Sequence, residues 1–430
     1  MTHQRVLIHG DFISTPELGD MVAHEDAYVS IEDGRITRIS DQCPDVGPDV
    51  TFIDHKGKLI IPGFADTHLH AVQYVTRGLG YDMELLPWLE DYTFPEEARF
   101  HDPQYAKRVF HDVVKDLWAA GTLHSAIYSS INTDASLMLM DCFATAGISA
   151  FVGKVNMDRN GGENLEETTE ESIRETIRFI ESAQAYAQKK VWPILTPRFA
   201  PSCSNELLKR LGDLSKEYDL PVQSHVNENM GEVAWVKELF PQSKNYLSVY
   251  EDFGLLPKGR AIMAHCIHNS KEEIDLFREK DVLIAHNPDS NANLASGIMP
   301  AGAMLDAGLR IGLGSDIGGG NRLFIGHAID SVIKQSRLLW ALTDHAHRTI
   351  SFAEAFHMAT AGGGSFFGQT GAFLPGYSFD ALVIDDQRFT RYRPYTIFER
   401  LQKFVFVGDD RDIAFRYMAG EVVPEPAAAK

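Results

Sequence analysis

The chain has 430 residues, 44% hydrophobic and 23% charged, an ordinary composition for a folded protein that buries a sizeable core. Its formal net charge is −20, from 60 acidic residues against 40 basic ones. No cluster of lysine and arginine offers the footprint a polyanion needs, which excludes a nucleic-acid polymer as the expected partner and leaves small molecules.

In chain order, the opening MTHQRVLIHGDF lacks the basic stretch and apolar run of a signal peptide, and no window is long and apolar enough to span a membrane. The expected location is cytoplasmic, with no membrane partner. Residues 1–61 read as short strands, RVLIHGDF, AYVSIEDGRITRIS and TFIDHKGKLIIP, with Asp33-Gly34 marking a hairpin. Residues 62–367 alternate apolar strands with amphipathic helices. Strands are expected in IPGFADTHLH, AGTLHSAIYSS, ISAFVGKVNMD, VWPILTPRFA, LPVQSHVNEN, AIMAHCIHNS, DVLIAHNPDS and RIGLGSDIGGG, eight in all. YAKRVFHDVVKDLWAAG carries the i, i+4 rows Val109, Val113, Leu117 and Phe110, Val114, Trp118 of an amphipathic helix. Thr168 and Glu171 form a capping-box signature for the helix that follows.

Residues 377–430 return to a β texture in YSFDALVIDD, FVFVGDD and DIAFRYMAGEVV. The expected fold class is therefore α/β: a (β/α)8 TIM-like barrel over residues 62–367, with a small β-sandwich domain built from both termini, 1–61 and 368–430. Active sites of such barrels lie at the C-terminal ends of the strands.

Polar residues of one chemical kind gather at those ends. His68 and His70 are two apart on a strand, so their side chains share a face. Other strand ends supply His225, His265, His286 and Asp316. Imidazoles with one carboxylate suit zinc or a similar first-row ion. The four cysteines, Cys43, Cys142, Cys203 and Cys266, are scattered without a CxxC pair and argue against a thiolate site. A metal held by His68, His70, His225 and Asp316 can activate a water, and Asp316 can accept that water's proton. His265 is a further ligand or a hydrogen-bonding partner of the water; spacing does not separate the two. Glu228, three residues past His225, is placed to act as a general acid and base.

PGFADTHLH, SHVNEN, AHC, HNPDSN and GLGSD, with ATAGGGSFFG and FDALVID after them, resemble the amidohydrolase superfamily over nearly the whole chain. THLHAVQY, LLPWLEDYTFPEEARF, FVGKVNMDRN, ETTEESIRET, TPRFAPSCS, KNYLSVY and LQKFVFVGDDR narrow the resemblance to the guanine deaminase family. The resemblance implies that His68, His70, His225 and Asp316 ligate one Zn2+ per subunit, joined or assisted by His265. It implies that Glu228 is the proton shuttle, and that Gln73, Arg198 and Phe199 contact the base beside His70, His225 and Asp316. Arg198 offers a fork of donors to a carbonyl oxygen and N7, Gln73 offers a donor and acceptors, and Phe199 can stack on a flat ring. The implied activity is conversion of guanine to xanthine and ammonia by a homodimer.

Val72, Asn227 and Cys266 depart from the family's usual residues without touching this chemistry. Binuclear members carry a lysine at the end of strand four; LTPRFA has none, so a single metal is expected and a cyclic-amide hydrolase is disfavoured. An 8-oxidised purine such as 8-oxoguanine, a pterin or a triazine remains an alternative substrate of the same class. An inactive binding or scaffold relative is a further alternative, disfavoured because every ligand is retained. The segment from Arg77 to Pro103 is long for a strand-to-helix connection. Its Leu85, Leu86, Trp88, Leu89, Tyr92 and Phe94 predict a lid that buries itself against the barrel mouth or a second subunit.

Overall fold

Four strands open the chain in the computed structural model, which describes residues 4–162 and 164–427. They are β1 (Arg5–Glu17), β2 (Asp20–Glu32), β3 (Arg35–Ser40) and β4 (Val50–Pro62). The β2–β3 hairpin turns on Asp33 and Gly34, with φ of 50° and 79°. Both central residues of a type I′ turn need positive φ, which is why Asp-Gly serves there. β1 lies between β2 and β4, so both of its edges are paired. Val6, Ile8 and Phe12 pack into one core, while Ile13 joins the larger core of the α/β region.

Ten strands follow: β5 (Phe64–His70), β6 (Thr122–Tyr128), β7 (Ser149–Gly153), β8 (Val155–Asn156), β9 (Val191–Pro193), β10 (Thr196–Pro197), β11 (Val222–Val226), β12 (Ala261–His265), β13 (Leu283–His286) and β14 (Arg310–Leu313). β5-β6-β7-β9 form one parallel sheet and β11-β12-β13-β14 another, with β8 and β10 as a separate parallel pair. VWPILTPRFA is split into β9 and β10 because Pro193 and Pro197 have no N–H to give to a ladder. Bridges at Leu195–Val222 and Phe199–His225 connect this segment to β11. On the far side β14 lies beside β5, where the Asp316 N–H donates to the His68 carbonyl at 2.8 Å and the His70 N–H to the Ile317 carbonyl at 2.7 Å. Each of the eight expected strand segments is found. Among the described residues no helix is long and apolar enough to cross a membrane.

The last three strands are β15 (Ala381–Ile384), β16 (Ile413–Met418) and β17 (Glu421–Val422). They extend the N-terminal sheet in the order β17-β16-β15-β4-β1-β2-β3. Both termini therefore build it, as the texture suggested, but as one continuous seven-stranded sheet where a sandwich was expected. Alternation reports which residues face inward and is silent on how the strands divide into sheets. A second correction concerns FVFVGDD, read as β texture, whose FVFV ends the helix Ile397–Val407. Thr396 and Glu399 form a capping box at its start, and Ile397, Leu401, Phe404 and Val405 bury one stripe of it. That stripe outweighs the β preference of Phe and Val.

Helix Pro103–Ala119 buries Val109, Val113, Leu117, Phe110 and Val114 as its rows predict, with Trp118 half-buried. Helix Thr169–Ala183 starts with the Thr168–Glu171 box, a cap worth about 1 kcal/mol. The terminal sheet is tied to the α/β region through Asp380. It accepts from Thr370 and Ser378 hydroxyls and the Ala419 N–H, each at 2.7 Å, and lies 3.2 Å from His124 Nε2. Between β5 and helix Pro103–Ala119, Leu85, Trp88 and Leu89 are buried with Leu294 in one apolar cluster.

Candidate active site

The strand ends that carry the histidines are shaped by unusual backbone. Asn227, His265, Cys266 and Asp316 have φ of 53°, 70°, 50° and 46°, a region side-chain-bearing residues adopt at a cost. Hydrogen bonds hold them there: the Cys266 N–H donates to the Val226 carbonyl at 3.0 Å, and Asp316 is joined to β5 as described. Beneath them the buried Asp66 carboxylate accepts from the Ser315 N–H at 3.0 Å, the His68 N–H at 3.2 Å and the Ser315 hydroxyl. Burial pushes Asp66 up to about 7.

His68, His70 and His225 bring ring nitrogens into one group, and His68, His265 and Asp316 into another, all donor atoms within 4.8 Å of one another. His68 Nε2 lies 3.2 Å from Asp316 Oδ1, yet it is buried without a hydrogen bond. His70 Nε2 and His225 Nε2 face each other at 3.1 Å. In two of the histidines the other nitrogen is committed: His225 Nδ1–H donates to the Arg198 carbonyl, and His265 Nδ1–H to Asn291 Oδ1 at 2.8 Å. Committing Nδ1 fixes the tautomer and leaves Nε2 as a lone-pair donor. An orphaned imidazole nitrogen and two converging ones beside a carboxylate are the arrangement a divalent cation satisfies. The donor set fits the expected metal.

The electrostatics follow from the burial. Burial lowers His70 and His225 well below the usual imidazole value, with His68 adding to it, so both are neutral and able to ligate. Burial opposes ionisation of Asp316, but His68, His265 and His70 outweigh it and hold the carboxyl well below its ordinary value. Glu228 goes the other way: burial, then Asp316, raises it well above the usual carboxylate range against a 3.2 Å hydrogen bond from the Ser296 hydroxyl. Its Oε2 sits 3.4 Å from His265 Nε2. Two buried carboxyl groups driven in opposite directions are suited to base and acid duties.

A cavity opens onto this cluster. His70, Gln73, Arg198, Phe199, His225, Glu228, His265 and Asp316 line it, so those expected residues converge on one site. His68 lies behind them among the ligand atoms. His286 is buried outside the lining, its Nδ1 unpartnered and its pKa pushed down to about 3 by burial. Leu85, Trp88 and Leu89 roof the cavity, the lid role expected of their segment.

Arg198 differs from expectation. Its two terminal nitrogens pair with the Glu97 carboxylate, and both side chains are buried. Sequence reasoning missed Glu97, and also Glu232, which lines the cavity and accepts from the Glu228 N–H at 3.0 Å and the Tyr246 hydroxyl at 2.7 Å. The signal for Glu232 was its capping-box spacing after Asn229; for Glu97 it was that a buried arginine requires a counter-charge.

The Amidohydrolase family matches residues 59–423. Guanine deaminase of Dictyostelium discoideum is 39% identical, covering 97% of this chain and 98% of its own. The Homo sapiens guanine deaminase is 39% identical over 85% of this chain and 83% of its own. A crystal structure of guanine deaminase from C. acetobutylicum with guanine in its active site superposes with a TM-score of 0.94. It is 42% identical and covers 98% of this chain and all of that one. With this likeness running the length of both partners, the chain belongs to the amidohydrolase family and, within it, to the guanine deaminases.

Proposed function

We propose that this chain hydrolyses guanine to xanthine and ammonia in the cavity above His70 and Asp316. The observation that carries the reading is the convergence of Asp316, Glu228, Gln73, Arg198 and Phe199 on one cavity, with Glu228 raised by burial and Asp316 held low by the histidines beside it. His68, His70, His225 and Asp316, with His265 beside them, would hold one zinc ion. When bound, such an ion lowers the pKa of a water so that hydroxide is available near neutral pH.

The chain's own groups supply the rest. Phe199 stacks on the purine, and Gln73 and Arg198 present donors to its carbonyl edge, which places C2 toward Asp316. Asp316 takes the proton from the water. Glu228 gives its proton to the ring nitrogen next to C2 as the oxygen adds. Its carboxylate then relays the proton of the new C2 hydroxyl to the amino group, which departs as ammonia, and Asp316 returns the water's proton to Glu228. An unprotonated amine is a poor leaving group, so Glu228 is as necessary as the water. The leucines and Trp88 of the roof exclude bulk water, which strengthens each of these contacts.

The parallel strands β5 to β14 support a (β/α)8 barrel over residues 62–367, with 1–61 and 368–430 as the sheet unit. The missing lysine in LTPRFA supports a single metal. We also propose a cytoplasmic homodimer. Because the lid's Leu85, Trp88 and Leu89 are buried within their own chain, the exposed Leu338, Trp340, Leu342, Phe406 and Val407 are its better apolar surface. Sedimentation as a monomer at micromolar concentration would remove that part. The decisive test of the activity is ammonia release by zinc-loaded protein from guanine, 8-oxoguanine, adenine, a pterin and a triazine. Guanine should be turned over fastest; preference for another member of the panel would replace it as substrate.

A further inference from the structure

We infer that Glu97 is a positioning residue that sets base selectivity by holding Gln73 and Arg198 in a single orientation. This rests on the guanine reading above. Glu97 ends the short helix Phe94–Glu97, in the segment between β5 and helix Pro103–Ala119. Its side chain is 5% exposed, and it is absent from the cavity lining that Gln73 and Arg198 share. It stands behind the two groups that face the base.

Among the described residues its three side-chain hydrogen bonds are all made to those two. Oε1 accepts from Gln73 Nε2 and from Arg198 Nη2, each at 2.9 Å, and Oε2 accepts from Arg198 Nη1. The Gln73 amide is pinned from its other end as well, because Oε1 accepts from the Gly318 N–H at 3.1 Å. Turning the amide over would set its oxygen against a carboxylate and its NH2 against an N–H, so only one orientation is open. Arg198 spends one N–H of each terminal nitrogen on Glu97, and it lines the cavity with donors to spare. Phe94 from the same turn lies under the guanidinium, 5.1 Å from ring centroid to Cζ, and fixes its plane.

The consequence is electrostatic as well as geometric. With Glu97 in place the wall facing the base is a neutral ion pair with fixed donors, suited to a neutral carbonyl oxygen. Without it the wall is a mobile cation beside an amide free to flip. A fixed donor set leaves its N–H groups unpaired when the ligand has no oxygen to accept them, and that is the origin of discrimination. Selectivity at the C6 position therefore depends on a residue that never touches the base.

The test compares guanine with 2-aminopurine, which keeps the C2 amine and lacks the C6 oxygen, in parent, Glu97→Gln and Glu97→Asp proteins with metal content matched. Glu97→Gln places an NH2 against donors and lets Gln73 turn over. Glu97→Asp keeps the charge that folding needs and withdraws it by one methylene, so it carries the test if the amide variant does not fold. For guanine, kcat/KM should fall by about 100-fold in Glu97→Gln, the effect of an ångström-scale misplacement, mainly through KM. The ratio of guanine to 2-aminopurine should collapse with it, and Glu97→Asp should lie between. Equal losses for both purines, or an unchanged ratio in folded Glu97→Asp, would show that Glu97 only supports the fold and overturn the inference. A parent that releases no ammonia from guanine would instead remove the functional reading on which it rests.

Discussion

Replacing Glu228 with Gln removes a proton from the active site and little else. The amide oxygen can still accept from the Ser296 hydroxyl, as Oε1 does at 3.2 Å, and the main-chain bond from residue 228 to Glu232 does not involve the side chain. Glu228 belongs to neither group of converging ligand atoms, so the variant should bind zinc as the parent does. What it loses is the acid that protonates the ring nitrogen and the departing amine. General acid–base catalysis of this kind contributes about 10²- to 10⁴-fold, or roughly 2.7 to 5.4 kcal/mol of barrier. The upper half of that range is expected, because one side chain serves both transfers. The assay is the conversion of guanine to xanthine followed by absorbance at saturating guanine, with zinc counted by elemental analysis on the same sample. A variant that retains zinc and turns guanine over within a few-fold of the parent would refute the shuttle. One that loses its zinc would place Glu228 among the ligands and refute the division of labour between it and Asp316.

The remaining expectations concern the metal, the base and the fold. The double variant His68→Ala, His70→Ala removes two converging nitrogens and should lose most bound metal and activity while keeping its circular dichroism; full metal content would contradict the ligand set. Arg198→Ala strips Glu97 of its counter-charge inside the protein, so it should lower stability by about 3–5 kcal/mol in a denaturant titration, alongside a loss in kcat/KM for guanine. An unchanged midpoint would mean that the pair is not buried as described. Adenine, with an amine where guanine has its carbonyl, should be neither substrate nor tight inhibitor of the parent. Asp380 is held below its ordinary value of 3.8: burial raises it, but the His124 contact and its other hydrogen bonds outweigh that. A carboxyl depressed in the folded state contributes stability above its unfolded pKa and loses it as pH falls through the folded one, so the melting temperature should drop below about pH 4. Asp380→Asn should lower stability at neutral pH by about 1–3 kcal/mol and flatten that acid limb, and an equally steep limb in the variant would assign the effect to other groups.

How much of this was legible in the sequence depends on the range of the interaction that decides it. Asp33-Gly34 marked its hairpin because the turn is settled by two residues' own φ preferences. The Thr168 and Glu171 box was visible for the same reason, since cap and partner are three residues apart. FVFV misled because β preference is a weak local prior, and the deciding facts, the cap at Thr396 and a buried stripe against neighbouring elements, lie outside those four residues. The division of seven strands into one sheet or two depends on which edges meet after the whole chain has folded. No window of sequence contains that information.

The site shows the same rule acting on charge. His68, His70, His225, His265 and Asp316 could be picked out because a parallel α/β fold sends every strand end to one face, so position along the chain predicts position in space. Arg198 and Gln73 inherited their place from the same logic, each just past a strand. Glu97 had no such address. It sits in FPEEARF beside Glu96, whose half-buried carboxylate pairs with the exposed Arg99, and nothing local tells which of the two carboxylates reaches Arg198. The argument that finds it runs backward from the site. A buried guanidinium requires an anion beside it, and here the segment that closes the roof supplies it. The connection too long for its fold was therefore legible as a lid, but its second task, holding the two side chains that read the base, became visible only once Arg198 was seen to be buried.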